Sequence, residues 1–278
     1  MADERALVLG GGGVAGIAWQ TGVLAGLAAA GVEVTDADLV VGTSAGSTVA
    51  AQVTSGLPWE ELLARQTDPG KRSEELVPAG SVAEALERML TLQSEGLEPA
   101  EIRRRVGALA LAAETVPESA RRKVIEGRLP AREWPRRPRL VIPAVEATSG
   151  APVLFDAASG VDLVDAVAAS CAVPGIWPPV TIADARYVDG GLRSMNNADL
   201  AAGHGRVLVV APFADPVLEE DVAGLTGDGA RVEVVAPDEA SAAAFGTDPL
   251  DPATRTPAAE AGYAQGRAEA ERVAALWK

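Results

Sequence analysis

The sequence predicts an α/β fold, a mostly parallel central sheet flanked by helices, with a helical insertion. Three observations carry that expectation. Short apolar runs such as Ala6–Gly10 and Asp38–Val41 stop at glycines, as parallel strands buried on both faces do. Each is followed by a stretch with helical spacing, giving strand, loop, helix, strand, turn, helix. Late in the chain "RVLVVAP" from Arg206 and "RVEVVAP" from Arg231 repeat the strand pattern.

The first strand runs into "GGGGVAG", Gly10 to Gly16. From Gly16 the spacing is helical through Ile17, Trp19, Val23, Leu24 and Leu27, and Gly31 closes the helix. The second strand leads into "GTSAGS" (Gly42–Ser47) and a small-residue helix from about Ala45 to Ser55. Between about Leu57 and Pro138 the strand pattern vanishes. The sets Val82, Leu86, Met89, Leu90 and Ile102, Val106, Leu109, Ala113 predict amphipathic helices there. This stretch reads as a cap inserted into one domain spanning residues 1–278. Strands resume as a hairpin over Arg139–Ala147 and Ala151–Asp156, followed by a helix from Leu163 to Cys171. The bend "AVPGIWPPV", short strands at "VTI" and "RYVDGG", a helix starting near Asn197 and a terminal helix over Ala258–Trp277 complete the pass.

Composition narrows the function. With 278 residues, 48% of them hydrophobic, the chain can bury a large core. A net charge of −15 argues against a nucleic-acid binder, which needs a basic stripe to neutralise phosphate. It also disfavours purely electrostatic docking on anionic membranes and leaves transient contact through an apolar patch. Cys171 is the single cysteine and His204 the single histidine. That excludes an intrachain disulfide and a cysteine–histidine zinc site. The start, Met-Ala-Asp-Glu-Arg, lacks the pattern of a signal peptide, and no run reaches the roughly 18–20 apolar residues of a membrane helix. A cytoplasmic protein is the expectation. Abundant alanine and an excess of arginine over lysine fit a GC-rich bacterial genome.

Chemistry concentrates in three segments. "GTSAG" sets Ser44 between Gly42 and Gly46, after a strand and before a helix. This is the pattern of a nucleophile elbow, in which a tight turn lifts a serine to the carboxyl edge of a sheet and glycines leave room for it. The helix that follows offers free N–H groups to a developing oxyanion. "GGGGVAG" contains G-x-G-x-x-G, but the second strand does not end in the acidic residue of a dinucleotide site. The alternative is an oxyanion loop of converging backbone N–H groups. The serine needs a base. Either His204 completes a triad in the chain order Ser44, Asp189, His204, or Asp189 in "YVDGG" acts alone.

Four segments in this order resemble the patatin-like phospholipases, a family of Ser–Asp dyad acyl hydrolases. They are "LVLGGGGVAGIAWQTGVLAGL", "VVGTSAGS", "AVAASCAVPGIWPPV" and "YVDGGLRSMNNADLA". The stretch from Leu57 to Pro138 and the tail after Pro237 carry little of the resemblance. It implies a three-layer sandwich in which Ser44 is the nucleophile and Asp189 its base. It assigns the oxyanion N–H groups to Gly11, Gly12 and Gly13, and leaves His204 a loop residue. No cofactor and no metal are implied, and the substrate is a lipid acyl ester or a small ester. Ala15 stands where the family usually carries Arg or Lys. The loop therefore lacks a positive charge of its own for a phosphate headgroup, and a binding scaffold without hydrolysis is the alternative. Of the remaining features, Cys171 reads as a small buried residue, Asn196 and Asn197 as helix caps, and the runs Arg103–Arg105 and Arg121–Lys123 as solvated helix faces. Trp19, Phe155 and Trp177 are candidates for an acyl pocket or for the core.

Overall fold

A computed structural model describes residues 4–79 and 82–278. Met1–Asp3 and the side chains of Leu86 and Leu90, used in the sequence reading, lie outside the described residues. The strands are β1 (Arg5–Leu9), β2 (Leu39–Gly42), β3 (Arg139–Glu146), β4 (Pro152–Phe155), β5 (Val180–Ile182), β6 (Ala185–Asp189), β7 (Arg206–Val210) and β8 (Arg231–Val235). The helices are α1 (Gly13–Ala29), α2 (Ala45–Val53), α3 (Trp59–Thr67), α4 (Val82–Ser94), α5 (Pro99–Ala112), α6 (Glu118–Arg128), α7 (Leu163–Ser170), α8 (Pro216–Gly227), α9 (Glu239–Phe245) and α10 (Arg255–Trp277).

These strands form one mixed sheet in the order β5-β6-β3-β2-β1-β7-β8, with β4 also paired to β3. The run β3-β2-β1-β7-β8 is parallel, while β4, β5 and β6 pair antiparallel. Alternate residues of the parallel strands face opposite layers. Leu7, Leu9 and Val40 pack beneath α1, α2, α7 and α10. Ala6, Val8, Leu39 and Val41 face the other way, toward Leu218 and Leu225 of α8. That is the flanked, mostly parallel sheet expected of near-continuous apolar strands.

Helix α1 is buried along most of its length and packs against α10 through glycines. A Cβ on Gly22 would lie 2.2 Å from the Ala259 carbonyl oxygen, and one on Gly266 would lie 2.1 Å from that of Val23. The tail beyond Pro237 is thus part of the core. Among the described residues, no helix is long and apolar enough to cross a membrane.

Three details differ from the sequence reading. Helix α1 begins at Gly13, inside the glycine run. The helix expected near Asn197 is a single 3-10 turn, Ala198–Ala201, with Asn197 itself at φ 51°. Helices α8 and α9 were not foreseen, although Asp215 and Asp238 each cap one, accepting from the N–H of Leu218 and Ser241.

Candidate active site

The site is built by register. Strands β1 and β2 are parallel neighbours, with Leu9 opposite Gly42, so the glycine loop and the serine turn leave the same edge of the sheet side by side. Val41 pairs with Val141 on β3, and Ser44 lies three residues beyond Val41. Asp189 pairs with Ala144, which lies three residues beyond Val141. Strand β3 outruns β2, and β6 pairs with the overrun. Two residues 145 apart in sequence therefore arrive at the same height, and Ser44 Oγ donates a 2.7 Å hydrogen bond to Asp189 Oδ2.

The turn around Ser44 is strained and tightly held. Ser44 has φ 52° and ψ −115°, a conformation that costs a non-glycine residue about 1–3 kcal/mol and needs surrounding structure to maintain it. A Cβ on Gly46 would lie 2.0 Å from the Leu9 carbonyl oxygen, and one on Gly42 would lie 2.6 Å from that of Gly46. Both glycines are therefore demanded by close backbone approach. The end of α7 grips the turn from the other side. Ser44 N–H donates to Ser170 Oγ at 2.9 Å, and the buried Cys171 Sγ donates to the Ser44 carbonyl at 3.2 Å. Serine often caps a helix with its own oxygen. Here the hydroxyl is turned to Asp189 and makes no cap at α2.

Asp189 is almost sealed from solvent, at 5% exposure. Its Oδ1 accepts from Gly191 N–H at 2.7 Å. Burial pushes its pKa up to about 7, against the opposing pull of the Gly191 N–H, the Ser44 hydroxyl and the Arg121 charge. A carboxylate of that strength, within hydrogen-bond reach of a hydroxyl, is suited to accept its proton near neutrality.

The glycine loop is more restricted than expected. Gly11 passes close to the serine, since a Cβ there would lie 3.6 Å from Ser44 Cβ. Its N–H, however, donates to the Met195 carbonyl at 2.8 Å, so the expected set of three glycine donors reduces to two. Among the described residues, Gly12, Gly13 and Ala45 have N–H groups with no protein acceptor, as is natural at the first turns of α1 and α2. Gln20 steadies the loop by donating to the carbonyls of Gly10 and Gly16.

His204 is elsewhere. It precedes β7, whose first residue, Arg206, pairs with Arg5 at the start of β1. That is the opposite edge of the sheet from Ser44, and His204 Nδ1 lies 3.0 Å from the Ala201 carbonyl. Trp19 and Phe155 are core residues, Trp19 donating to Gln265 and Phe155 meeting Tyr187 edge to face. Asn197 does not cap with its side chain. Its Nδ2 donates to Thr43 Oγ1 and to the Ser194 carbonyl, tying the segment after Asp189 to the serine turn.

Sequence reasoning missed Arg121. Arg104 and Arg105 do lie among surface carboxylates, Glu101 and Glu95, while the half-buried Arg103 donates to the Gly150 carbonyl. Arg121 on α6, by contrast, is 5% exposed, with its guanidinium 3.9 Å from the centre of the Trp177 ring. Only helical phase separates Arg121 from its half-buried neighbour Arg122, which pairs with Asp165, and Val124, Ile125 and Arg128 on the same buried face give that phase away.

A family model described as patatin-like phospholipase matches residues 7–202. No curated protein sequence matches the chain. Among solved structures, VipD from Legionella pneumophila is similar with a TM-score of 0.51 and 13% identity, over 97% of this chain and 67% of that one. The type III effector protein ExoU overlaps more loosely, with a TM-score of 0.42 and 16% identity, over 97% of this chain and 53% of that one.

Proposed function

The chain belongs to the patatin-like phospholipase family, and we propose that it hydrolyses acyl esters through a Ser44–Asp189 dyad. The observation that carries this reading is the 2.7 Å hydrogen bond from a serine at positive φ to a buried carboxylate.

Asp189 Oδ2 takes the proton from Ser44 Oγ as that oxygen attacks the acyl carbonyl. The tetrahedral oxyanion is met by backbone N–H groups, for which Gly12 and Gly13 of the glycine loop and Ala45, next to Ser44 in the chain, are the unengaged candidates. Protonated Asp189 returns the proton to the leaving alcohol, and the acyl group stays on Ser44. Asp189 then deprotonates a water that attacks the acyl-enzyme, releasing the carboxylic acid and restoring the hydrogen-bonded pair.

The acyl chain is taken by the apolar cluster of Ala85, Ile176 and Trp177 with Leu76, Val82 and Leu250. Leu250 brings that cluster against the glycine loop, where its Cδ2 would lie 2.9 Å from a Cβ on Gly13. Helices α3 to α6, within the stretch from about 57 to 138, act as the cap of a single domain, with Val82 and Ala85 of α4 in the same cluster. Lipid acyl esters and short soluble esters are the substrates this reading implies. A fluorophosphonate probe tests the reading. It should label wild-type protein at Ser44 and leave Ser44→Ala unlabelled, and a wild-type protein that resists labelling would favour a scaffold that binds without hydrolysis.

A further inference from the structure

We infer that the chain holds one inorganic anion of halide size in a small cavity between α2, α3, α6 and the start of α10. The site is separate from the dyad and does not depend on the hydrolase reading.

A charge imbalance is the first observation. Glu75 is a buried carboxylate faced by three arginines. Arg128 donates to both of its oxygens, at 3.1 and 2.5 Å, and Arg255 donates to Oε1 at 2.5 Å. Arg121 Nη1 stands farther off, 3.8 Å from Oε2. The three arginines are only 4–6% exposed, so three cations shut off from water share one carboxylate. Buried charge is costly unless it is paired. Burial and the Arg128 charge push the Arg255 pKa down against the pull of Glu75, so the crowding of like charge is felt at Arg255 itself.

A cavity lies beside that excess. Its volume is about 10 Å³, close to the room one water-sized body needs. Its wall carries Arg65 of α3, Arg128 of α6 and Arg255 of α10, together with Gln52 of α2, and no carboxylate among the described residues. Arg65 Nε and Arg255 Nε are buried donors without an acceptor, and such donors on charged groups mark a place where a ligand belongs. Helix α10 starts at Arg255 with no side-chain cap and no acidic residue in its first turn, so its positive end adds to the excess.

Size and charge specify the occupant. A body close to water in size excludes phosphate, sulfate and any acyl ester, and leaves chloride among common anions. Water would accept from the same donors and would also serve Gln52 Oε1, which is buried without a donor. It would leave the charge excess uncompensated, and the excess decides for the anion. Gln52 stands in the last turn of α2, at the end away from Ser44, and neither member of the dyad lines the cavity. Bound there, the anion ties α3 and α6 of the cap to α2 and α10 of the core.

Thermal unfolding of the full chain tests this, with sodium gluconate replaced stepwise by sodium chloride at constant ionic strength. Tm should rise with chloride and saturate, by about 2–5 °C at ten times the dissociation constant, and bromide should act likewise. Arg65→Met removes a lining guanidinium that stands outside the Glu75 cluster. It should move the midpoint of the chloride titration at least about 10-fold upward, the least that a hydrogen bond to a charged group contributes. Arg104→Gln, an exposed change on the cap, should not move it. A second measurement needs no variant: in crystals grown with bromide, anomalous scattering should peak between Arg65, Arg128 and Arg255. A wild-type Tm indifferent to the replacement of gluconate would overturn the site. So would an unshifted midpoint in an Arg65→Met protein that is folded by circular dichroism, or a water without anomalous signal in the cavity. None of these readouts requires turnover, so a protein that takes no fluorophosphonate loses the hydrolase reading and keeps this site.

Discussion

Two buried carboxylates, Asp189 and Glu75, face similar burial and end in opposite states. Burial pushes both toward the protonated form. At Glu75 the charges of Arg128, Arg255 and Arg121 outweigh burial and hold the pKa below its ordinary value. At Asp189 the compensation is two short hydrogen bonds and one more distant guanidinium, and the pKa stays high, at about 7. The difference is functional. A carboxylate surrounded by cations is locked ionised and holds structure together, because a proton would have to displace an arginine. One held by a backbone N–H and a hydroxyl keeps enough basicity to accept a proton from that hydroxyl.

Removing either member of the dyad should have the largest effect. Ser44→Ala should lower ester hydrolysis at least about 1,000-fold, and Asp189→Asn about 100- to 10,000-fold, with both proteins folded by circular dichroism. If Asp189→Asn retained full rate, the base would lie elsewhere.

Stability should then divide the two carboxylates by sign. Glu75→Gln leaves buried arginines without their anion and should cost about 3–5 kcal/mol in urea unfolding. Asp189→Asn removes a charge that the fold compensates only in part and should be neutral or stabilising above neutral pH. The sign follows from linkage. A carboxyl raised in the folded chain keeps its proton where the unfolded chain has lost it, so its contribution to stability falls as pH rises toward about 7. Glu75, held low, contributes stability at neutral pH that is lost as pH falls through its folded pKa.

The same asymmetry appears in the rate. With Asp189 titrating near 7, kcat/KM should fall about tenfold for each pH unit below that point. A profile flat down to pH 5 would mean that Asp189 is as acidic as Glu75. The smallest effect should come from His204→Ala, which changes a residue at the far edge of the sheet and should leave the rate within about twofold.

Much of this was legible in the sequence because the signals are local. Gly42 and Gly46 flank Ser44 for a reason visible in five residues, and apolar runs ending in glycine identify the parallel strands. The residues alone left the pairing of Ser44 with Asp189 as one of two options and the resemblance singled it out, since the contact depends on β3 outrunning β2. Three features were not legible. Gly11 loses its N–H to Met195, a contact between segments far apart in the chain. Ser170 grips the serine turn from the end of α7, where the sequence registers only a run of small residues. Arg121 sits in a basic run that resembles the one holding the exposed Arg104 and Arg105, and only its helical phase relative to Ile125 and Arg128 distinguishes a buried cation from a solvated one.

Hydrolysis of p-nitrophenyl esters of increasing chain length by wild type, Ser44→Ala, Asp189→Asn and His204→Ala decides whether the dyad does the chemistry. The dyad predicts an active wild type, two inactive variants and an unaffected His204→Ala. A wild type inert on every chain length and on phospholipid, or an inactive His204→Ala beside an active Asp189→Asn, would contradict it.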